Sequence, residues 1–228
     1  MCGRYTLAFA GTDPAQLRAR FGIGERLERR RRYNVAPGDD VLAVIDRGDA
    51  GPEGALLRWG LVPHWASDPR EVAAKTINAR AETVAERPAY RDAFARRRCL
   101  IVADGFYEWS AGTPHWIARE DGEPFAFAGL WASWRPRGDA GVEPLRSCAI
   151  VTTAAAGPVR ELHDRMPVIL EQGAEPRWLD HAAGADELHA LLHTAGPRLA
   201  TRPVSRAVND ARHDAADCLD PPEQAALF

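Results

Sequence analysis

Strand patterning dominates the middle of the chain, while helical patterning falls at the start, around 80–97 and near the end. Residues 41–46 and 55–59 show strand spacing on either side of the turn-rich RGDAGPEG, so two consecutive strands are expected there. Residues 99–103 form a short apolar run closed by Asp104-Gly105, and 106–109 read as the next strand. Residues 115–119 and 125–131 flank EDGE, which predicts a hairpin with Asp121-Gly122 at its tip. Further strands are expected at 3–8, 146–153 and 167–170. Helical signals are fewer. Asp13-Pro14-Ala15-Gln16 supplies a cap, a proline at the first helical position and a glutamine three residues after the cap, with Leu17 and Phe21 on one face and Gly22 and Gly24 as the stop. Residues 80–97 are mostly helix formers interrupted at Pro88, and 186–193 carry Leu188, Leu191 and Leu192 at helical spacing. Residues 33–38 read as an extended loop around Pro37, 60–78 as a long ordered loop, and the polar tail at 211–228 as loosely held. These elements predict an α+β single domain spanning 1–228, with a largely antiparallel, barrel-like sheet flanked by helices.

Composition narrows the class. The 228 residues are 46% hydrophobic and 27% charged, enough apolar content for one sizeable core. A net charge of −3 argues against a protein that coats nucleic acid non-specifically, so any such site must be a local groove. Basic runs at Arg29 to Arg32 and Arg96 to Arg98 read, each on its own, as solvated faces. No stretch has the length and apolarity of a membrane span or a secretory leader, which points to a cytoplasmic protein. Cys2, Cys99, Cys148 and Cys218 are scattered without a C-x-x-C pair, so neither a disulfide framework nor a structural zinc site is expected, and no cofactor or metal is called for. Cys99 and Cys148 lie in apolar runs and read as buried small hydrophobes.

Cys2 stands apart because of its place. Initiator methionine is removed when a small residue follows it, and cysteine is small, so the mature chain is expected to begin with a free α-amine beside a thiol. The amine titrates near ~8, so a useful fraction is neutral in the cell. A neutral amine condenses with an aldehyde, and the adjacent thiol can then close a thiazolidine ring. An abasic sugar in its open form is such an aldehyde. Gly3 and Arg4 would allow close backbone approach and place a cation beside the nucleophile. The plain alternative is that Cys2 is only the second residue of a strand.

Nine segments, in order, carry a resemblance to a known family: MCGRYTL at 1–7, RYNVAPG at 32–38, RWGLVPHW at 58–65, INARAET at 77–83, ADGFYEW at 103–109, FAFAGLW at 125–131, IVTTAA at 150–155, HDRMPVIL at 163–170 and PVSRAVN at 203–209. Over about residues 1–210 the chain resembles the SOS response-associated peptidase (SRAP) domain family. The resemblance implies a barrel-like core flanked by helices and a positive cleft for single-stranded DNA bearing abasic sites, including at single-strand/double-strand junctions. It also implies a thiazolidine crosslink through the N-terminal cysteine, autoproteolytic removal of the preceding residue, and reversal of the crosslink. A monomer without membrane association is expected.

The resemblance also assigns residues. Cys2 matches the family nucleophile. Asn78 matches the asparagine that orients the α-amine, although from the sequence alone it could equally cap a helix at 80–97. Glu108 matches the general acid–base, and Tyr107 and Trp109 beside it would desolvate its carboxyl; a strand residue facing solvent is the alternative. His163 matches the histidine that assists proton transfer, and its intrinsic pKa suits that task. Arg4, Arg80 and Arg165 match phosphate contacts, for which guanidinium forks are suited. Asn34, Pro37, Trp65 and Thr152 match cleft positions, with Trp65 able to stack on a base. The chain departs from the pattern after Trp65. A second tryptophan is replaced by Ala66, so a two-ring wedge is not carried over.

Other classes compete, of which a protease acting on other proteins is set aside because no Ser–His–Asp arrangement supports it. An N-terminal-nucleophile amidohydrolase of the glutaminase kind also begins Met-Cys-Gly, but leaves the YEW and HDRMP segments unexplained. A non-catalytic single-strand binding module would bind reversibly and with strong salt dependence, indifferent to loss of the Cys2 thiol.

Overall fold

The computed structural model describes residues 2–8, 14–23, 31–48, 51–138 and 141–223. In chain order the elements are β1 (Tyr5–Leu7), α1 (Pro14–Phe21), β2 (Arg32–Val35), β3 (Asp40–Asp46), β4 (Pro52–Trp59), α2 (Pro69–Lys75), β5 (Asn78–Arg80), α3 (Arg91–Arg96) and β6 (Arg98–Ala103). They continue with β7 (Gly105–Ser110), β8 (Thr113–Arg119), β9 (Phe125–Trp134), β10 (Leu145–Ala154), β11 (Arg165–Pro167), β12 (Ile169–Leu170), α4 (Glu175–Leu179), α5 (Ala185–Leu192) and β13 (Leu199–Pro203).

Five of these strands close on themselves. β4 pairs with β3, β3 with β6, β6 with β9 and β9 with β10, all antiparallel, and β10 returns to β4 in parallel register at Ser147↔Arg58. Closure removes the exposed edges that an open sheet would carry. Alternation on β4 shows which way the barrel faces. Ala55, Leu57 and Trp59 are buried while Leu56 and Arg58 are exposed, the period of two that a one-sided strand requires. β6 is buried along its whole length because it is covered outside as well. β9 carries Gly129 between β6 and β10, where a Cβ would meet Cys99 Sγ at 2.7 Å. Cys99 and Cys148 are both fully buried, as their apolar surroundings predicted.

The second sheet, in the order β13-β8-β7-β1-β2, is antiparallel throughout and packs on the barrel. Tyr5 links the layers, with its ring 5.5 Å from Trp59 and 5.7 Å edge-on from Phe127. Asp104, in the turn between β6 and β7, ties β1 down. One carboxylate oxygen accepts from Thr6 Oγ1 at 2.6 Å and the other from the Ala8 amide at 2.9 Å. The fold is therefore α+β, a barrel core with helices and a second sheet around it. Among the described residues, no helix is long and apolar enough to cross a membrane.

Several local expectations need correction. Strands β8 and β9 do not form a hairpin; they belong to different sheets, and Asp121-Gly122 turns the chain from one layer to the other. Aspartate-glycine specifies a tight turn, not which strands pair beyond it. Residues 33–35 are not a loop but part of β2, paired to β1 at Tyr5↔Val35. The loop expected at 60–78 contains α2. That helix buries none of its side chains, so no apolar stripe announces it; its signal is Asp68, whose carboxylate accepts from the amides of Arg70 and Glu71 ahead of Pro69. Residues 80–97 contain only the six-residue helix α3, because β5 and a series of turns occupy the stretch before Arg91. The cap expected at Asp13 and the stop at Gly24 lie outside the described residues, while Gly22 ends α1 at φ 62°. The tail is not loose over residues 211–223. Asp214 accepts from Arg32 and from the amides of Tyr33 and Asn34, and Cys218 is fully buried with Tyr107, Val204 and Val208.

Candidate functional site

Antiparallel pairing of β1 with β7 places the start of the chain. Tyr5 opposes Phe106, and the Tyr107 amide donates to the Arg4 carbonyl at 3.0 Å. Continuing that register toward the terminus carries residues 2 and 3 alongside Glu108. Cys2 is fully buried, and its Sγ lies 3.8 Å from the Arg4 carbonyl. Burial pushes the thiol well above its ordinary range, and the charge of Glu108 adds to the shift. The resting sulfur is a thiol, not a thiolate.

Asn78 reaches this terminus from the barrel. Its strand β5 pairs in parallel with β10 at Ile150↔Asn78, and the Tyr90 hydroxyl donates to the Asn78 carbonyl at 2.9 Å. With its backbone held, the side-chain amide donates from Nδ2 to the Cys2 carbonyl at 2.8 Å. The Oδ1 atom is buried and has no hydrogen-bond partner among the described residues. Such an acceptor is expensive to leave unmatched. Asn78 thus sits on a strand, which removes the helix-cap alternative.

Glu108 on β7 is 3% exposed, which removes the solvent-facing alternative as well. Burial raises its carboxyl pKa, while the positive amino terminus and His163 pull the other way and Asp164 adds to the rise. His163 follows a 3-10 turn at Gly157–Glu161. Its Nδ1 receives the Arg165 amide at 2.9 Å and also lies 2.8 Å from Asp164 Oδ1. One ring nitrogen cannot accept the first and donate to the second. The amide is fixed by β11 and Asp164 is exposed, so Nδ1 is assigned as the acceptor, with the ring proton on Nε2. Asn78 thus contacts Cys2, Glu108 lies within electrostatic reach of Cys2, and His163 lies within reach of Glu108, so four distant parts of the chain are drawn to one place.

The remaining predicted positions divide into three groups. Arg165, Thr152 and Arg80 adjoin the site on β11, β10 and β5. Thr152 is buried with Oγ1 3.3 Å from the Ala79 carbonyl, and Arg80 is exposed. Arg165 places both terminal nitrogens on the Glu82 carboxylate, at 2.6 and 3.0 Å, and also donates to the Thr152 carbonyl at 2.6 Å. Arg4 and Asn34 form a second group that holds the C-terminal segment. Arg4 Nη1 donates to Asn34 Oδ1 and to the Val208 carbonyl, both at 2.8 Å. Asn34 Nδ2 in turn reaches the carbonyls of Val208, Asp210 and His213. Pro37 and Trp65 are exposed on loops, Trp65 at 43%. Ala66, at the position of the missing second ring, is buried, and its carbonyl accepts from Trp134 Nε1 at 2.8 Å.

Two contributors escaped the sequence reading. Tyr90 positions Asn78 from twelve residues away and leaves no local signal. Glu82 lies in the INARAET segment but was passed over for its neighbours Asn78 and Arg80. One group among the described residues has metal-ligand chemistry: His213, Asp217 and Cys218, whose ligand atoms lie within 4.8 Å of one another. Its imidazole is already paired with Asp217 at 2.7 Å, and Cys218 Sγ faces the His213 carbonyl.

Residues 1–211 match the family described as SOS response associated peptidase (SRAP). The chain belongs to the SRAP family. Its curated SRAP relatives include the abasic site processing protein YoaM of Bacillus subtilis, 39% identical over 96% of this chain and 98% of that protein. YedK of Escherichia coli, also named an abasic site processing protein, is 30% identical over 97% of this chain and all of its own length. The chicken protein HMCES, of the same description, is 30% identical, and the match covers 98% of this chain and 78% of that protein. A crystal structure from Bacteroides thetaiotaomicron shares the SRAP fold with a TM-score of 0.81 at 22% identity, over 96% of this chain and 99% of that one. A structure from Bordetella bronchiseptica superposes with a TM-score of 0.74 at 28% identity, over 90% of this chain and all of that one.

Proposed function

We propose that this SRAP protein processes abasic sites in single-stranded DNA by forming a covalent thiazolidine through Cys2 once Met1 has been removed. The observation that carries the reading is the clamp on Cys2. Asn78 holds the Cys2 carbonyl and keeps a buried, unmatched oxygen beside it, Glu108 lies within electrostatic reach of Cys2, and His163 lies within reach of Glu108. An amide oxygen at that place can accept from the new α-amine without neutralising or protonating it.

The order of steps follows from the chemistry of the two groups. Only the amine can condense with the sugar aldehyde to an imine, and the thiol closes the ring on that imine, so the amine attacks first. The carbinolamine loses one water to give an imine. The thiol then adds across the C=N bond, with sulfur bonding to carbon and its proton passing to nitrogen. The net change is one water released. A carboxyl whose pKa is raised by burial stays protonated closer to neutrality, so Glu108 can protonate the sugar ring oxygen and the departing hydroxyl. His163 lies within electrostatic reach of that carboxyl, and its Nε2–H would serve there as a hydrogen-bond donor. Arg80 and Arg165 would position flanking phosphates, which carry no sequence information. Relatives named abasic site processing proteins support the same substrate.

The test is a denaturing gel of an abasic single-stranded oligonucleotide incubated with the wild type or with Cys2→Ala. A denaturant-stable band with the wild type alone is expected. A band of equal intensity with Cys2→Ala would refute the thiazolidine, and its absence with both would refute covalent processing.

A further inference from the structure

The Arg165 guanidinium is a ready phosphate fork, yet in the free protein it already holds an anion. Its side chain is 12% exposed, enclosed by Thr152 beneath and Glu82 above. Both terminal nitrogens lie on the two oxygens of one carboxylate, at 2.6 and 3.0 Å. That is the two-pronged geometry a guanidinium offers to a phosphodiester. Glu82 is 44% exposed, so it forms the solvent side of the pair and any anion arriving from solvent meets it first. The hydrogen bond from Arg165 holds the Glu82 carboxyl below its ordinary range, which keeps the carboxylate charged across the physiological span. The buried Nε of Arg165 has no hydrogen-bond partner among the described residues, so the present pairing does not exhaust the fork.

Resting on the proposed reading of the site, we infer that Glu82 is a built-in competitor for the strand and acts as a specificity-determining residue. A DNA phosphate can reach Arg165 only by displacing a carboxylate of equal charge and similar shape. The exchange leaves the number of charge-assisted hydrogen bonds nearly unchanged. Arg165 therefore adds little net affinity for an undamaged strand while still orienting one that is retained by other means. Reversible binding stays weak, and retention depends on the covalent step that only an abasic aldehyde permits. This fits an acidic protein that must not coat intact single strands.

The experiment measures binding of an intact, fluorescently labelled single-stranded oligonucleotide by anisotropy across a salt series. It uses the full-length wild type, Glu82→Gln, Arg165→Ala and the double variant. Glu82→Gln, which keeps shape and removes charge, is expected to tighten binding about five-fold, roughly 1 kcal/mol. Freeing one phosphate contact should steepen the slope of log affinity against log salt by about 0.7. The gain should vanish when Arg165 is also absent. Unchanged or weaker binding by Glu82→Gln would overturn the inference and assign Glu82 to holding Arg165 in place. Glu82→Asp, which keeps charge but shortens the reach, guards against loss of fold and should also tighten binding; a thermal melt checks both variants. Adduct formation with an abasic oligonucleotide is scored on the same wild-type sample. A wild type that forms the adduct while Glu82→Gln binds no tighter sinks only the competitor. A wild type that forms no adduct sinks the underlying reading.

Discussion

Replacing Asn34 by alanine separates a structural role from a nucleic-acid contact. The Asn34 side chain is wholly buried, and its amide joins three parts of the chain. Nδ2 donates toward the carbonyls of Val208, Asp210 and His213 at 3.2, 2.9 and 2.7 Å, and Oδ1 accepts from Arg4 at 2.8 Å. Two amide hydrogens serve three carbonyls, so the donated side counts as two neutral bonds of about 1 kcal/mol each. The bond from the guanidinium is charge-assisted and contributes about 2 kcal/mol. Water can reach part of the segment once the side chain is gone, which brings the expected loss to about 3 kcal/mol. At 2–4 °C per kcal/mol for a chain of this size, that lowers Tm by about 10 °C. Urea denaturation followed by tryptophan fluorescence measures it directly, and hydrogen exchange at residues 208–213 should rise with it. Asn34→Asp keeps the shape but turns an acceptor toward three carbonyls, so it should be no better than alanine. A loss below about 1 kcal/mol with unchanged exchange would refute this account and leave Asn34 as a surface for nucleic acid.

Arg98 offers a second structural test. It is 3% exposed, and four backbone carbonyls, of Phe94, Ala95, Trp178 and Asp180, receive its guanidinium at 2.6–2.8 Å. Arg98→Met should cost about 3 kcal/mol in urea denaturation, and Arg98→Lys should not restore it, because a point charge cannot span four acceptors. Glu108→Gln should slow adduct formation in single-turnover kinetics while stabilising the fold at neutral pH. A carboxyl whose folded pKa lies above its unfolded value makes the fold less stable as pH rises from the unfolded value through the folded one. The stability gap between variant and wild type should therefore widen on going from pH 4 to pH 8, as followed by thermal melts.

Much of the barrel is legible in the sequence because its strands alternate or run continuously apolar between clear turns. The segments at 41–46, 55–59 and 99–103 correspond to β3, β4 and β6 within a residue or a few at each end. Pairing is less legible. β8 and β9 look like a hairpin because the turn between them has hairpin chemistry, but the register that sends them to different sheets is set by long-range burial. Helix α2 escaped because it has a cap and no apolar face. Buried cations are the hardest to read: Arg98 sits in a basic run that looks solvated, yet it closes the ends of α3 and α4 through their carbonyls. In the site, motif segments name Cys2, Asn78, Glu108 and His163, but their meeting depends on β1 pairing with β7 and β5 with β10. The same motifs say nothing of the partners that hold Arg4 and Arg165, since those lie elsewhere in the chain or two residues along in a segment read for other positions.

Peptide-resolved mass spectrometry of the full chain after exposure to an abasic oligonucleotide tests the central claim most directly. The account predicts a peptide that starts at residue 2 and carries the sugar fragment, its mass equal to the sum of both parts less one water. An adduct mapped to any lysine, or an unmodified peptide still bearing Met1 in a sample that has trapped the DNA, would contradict it.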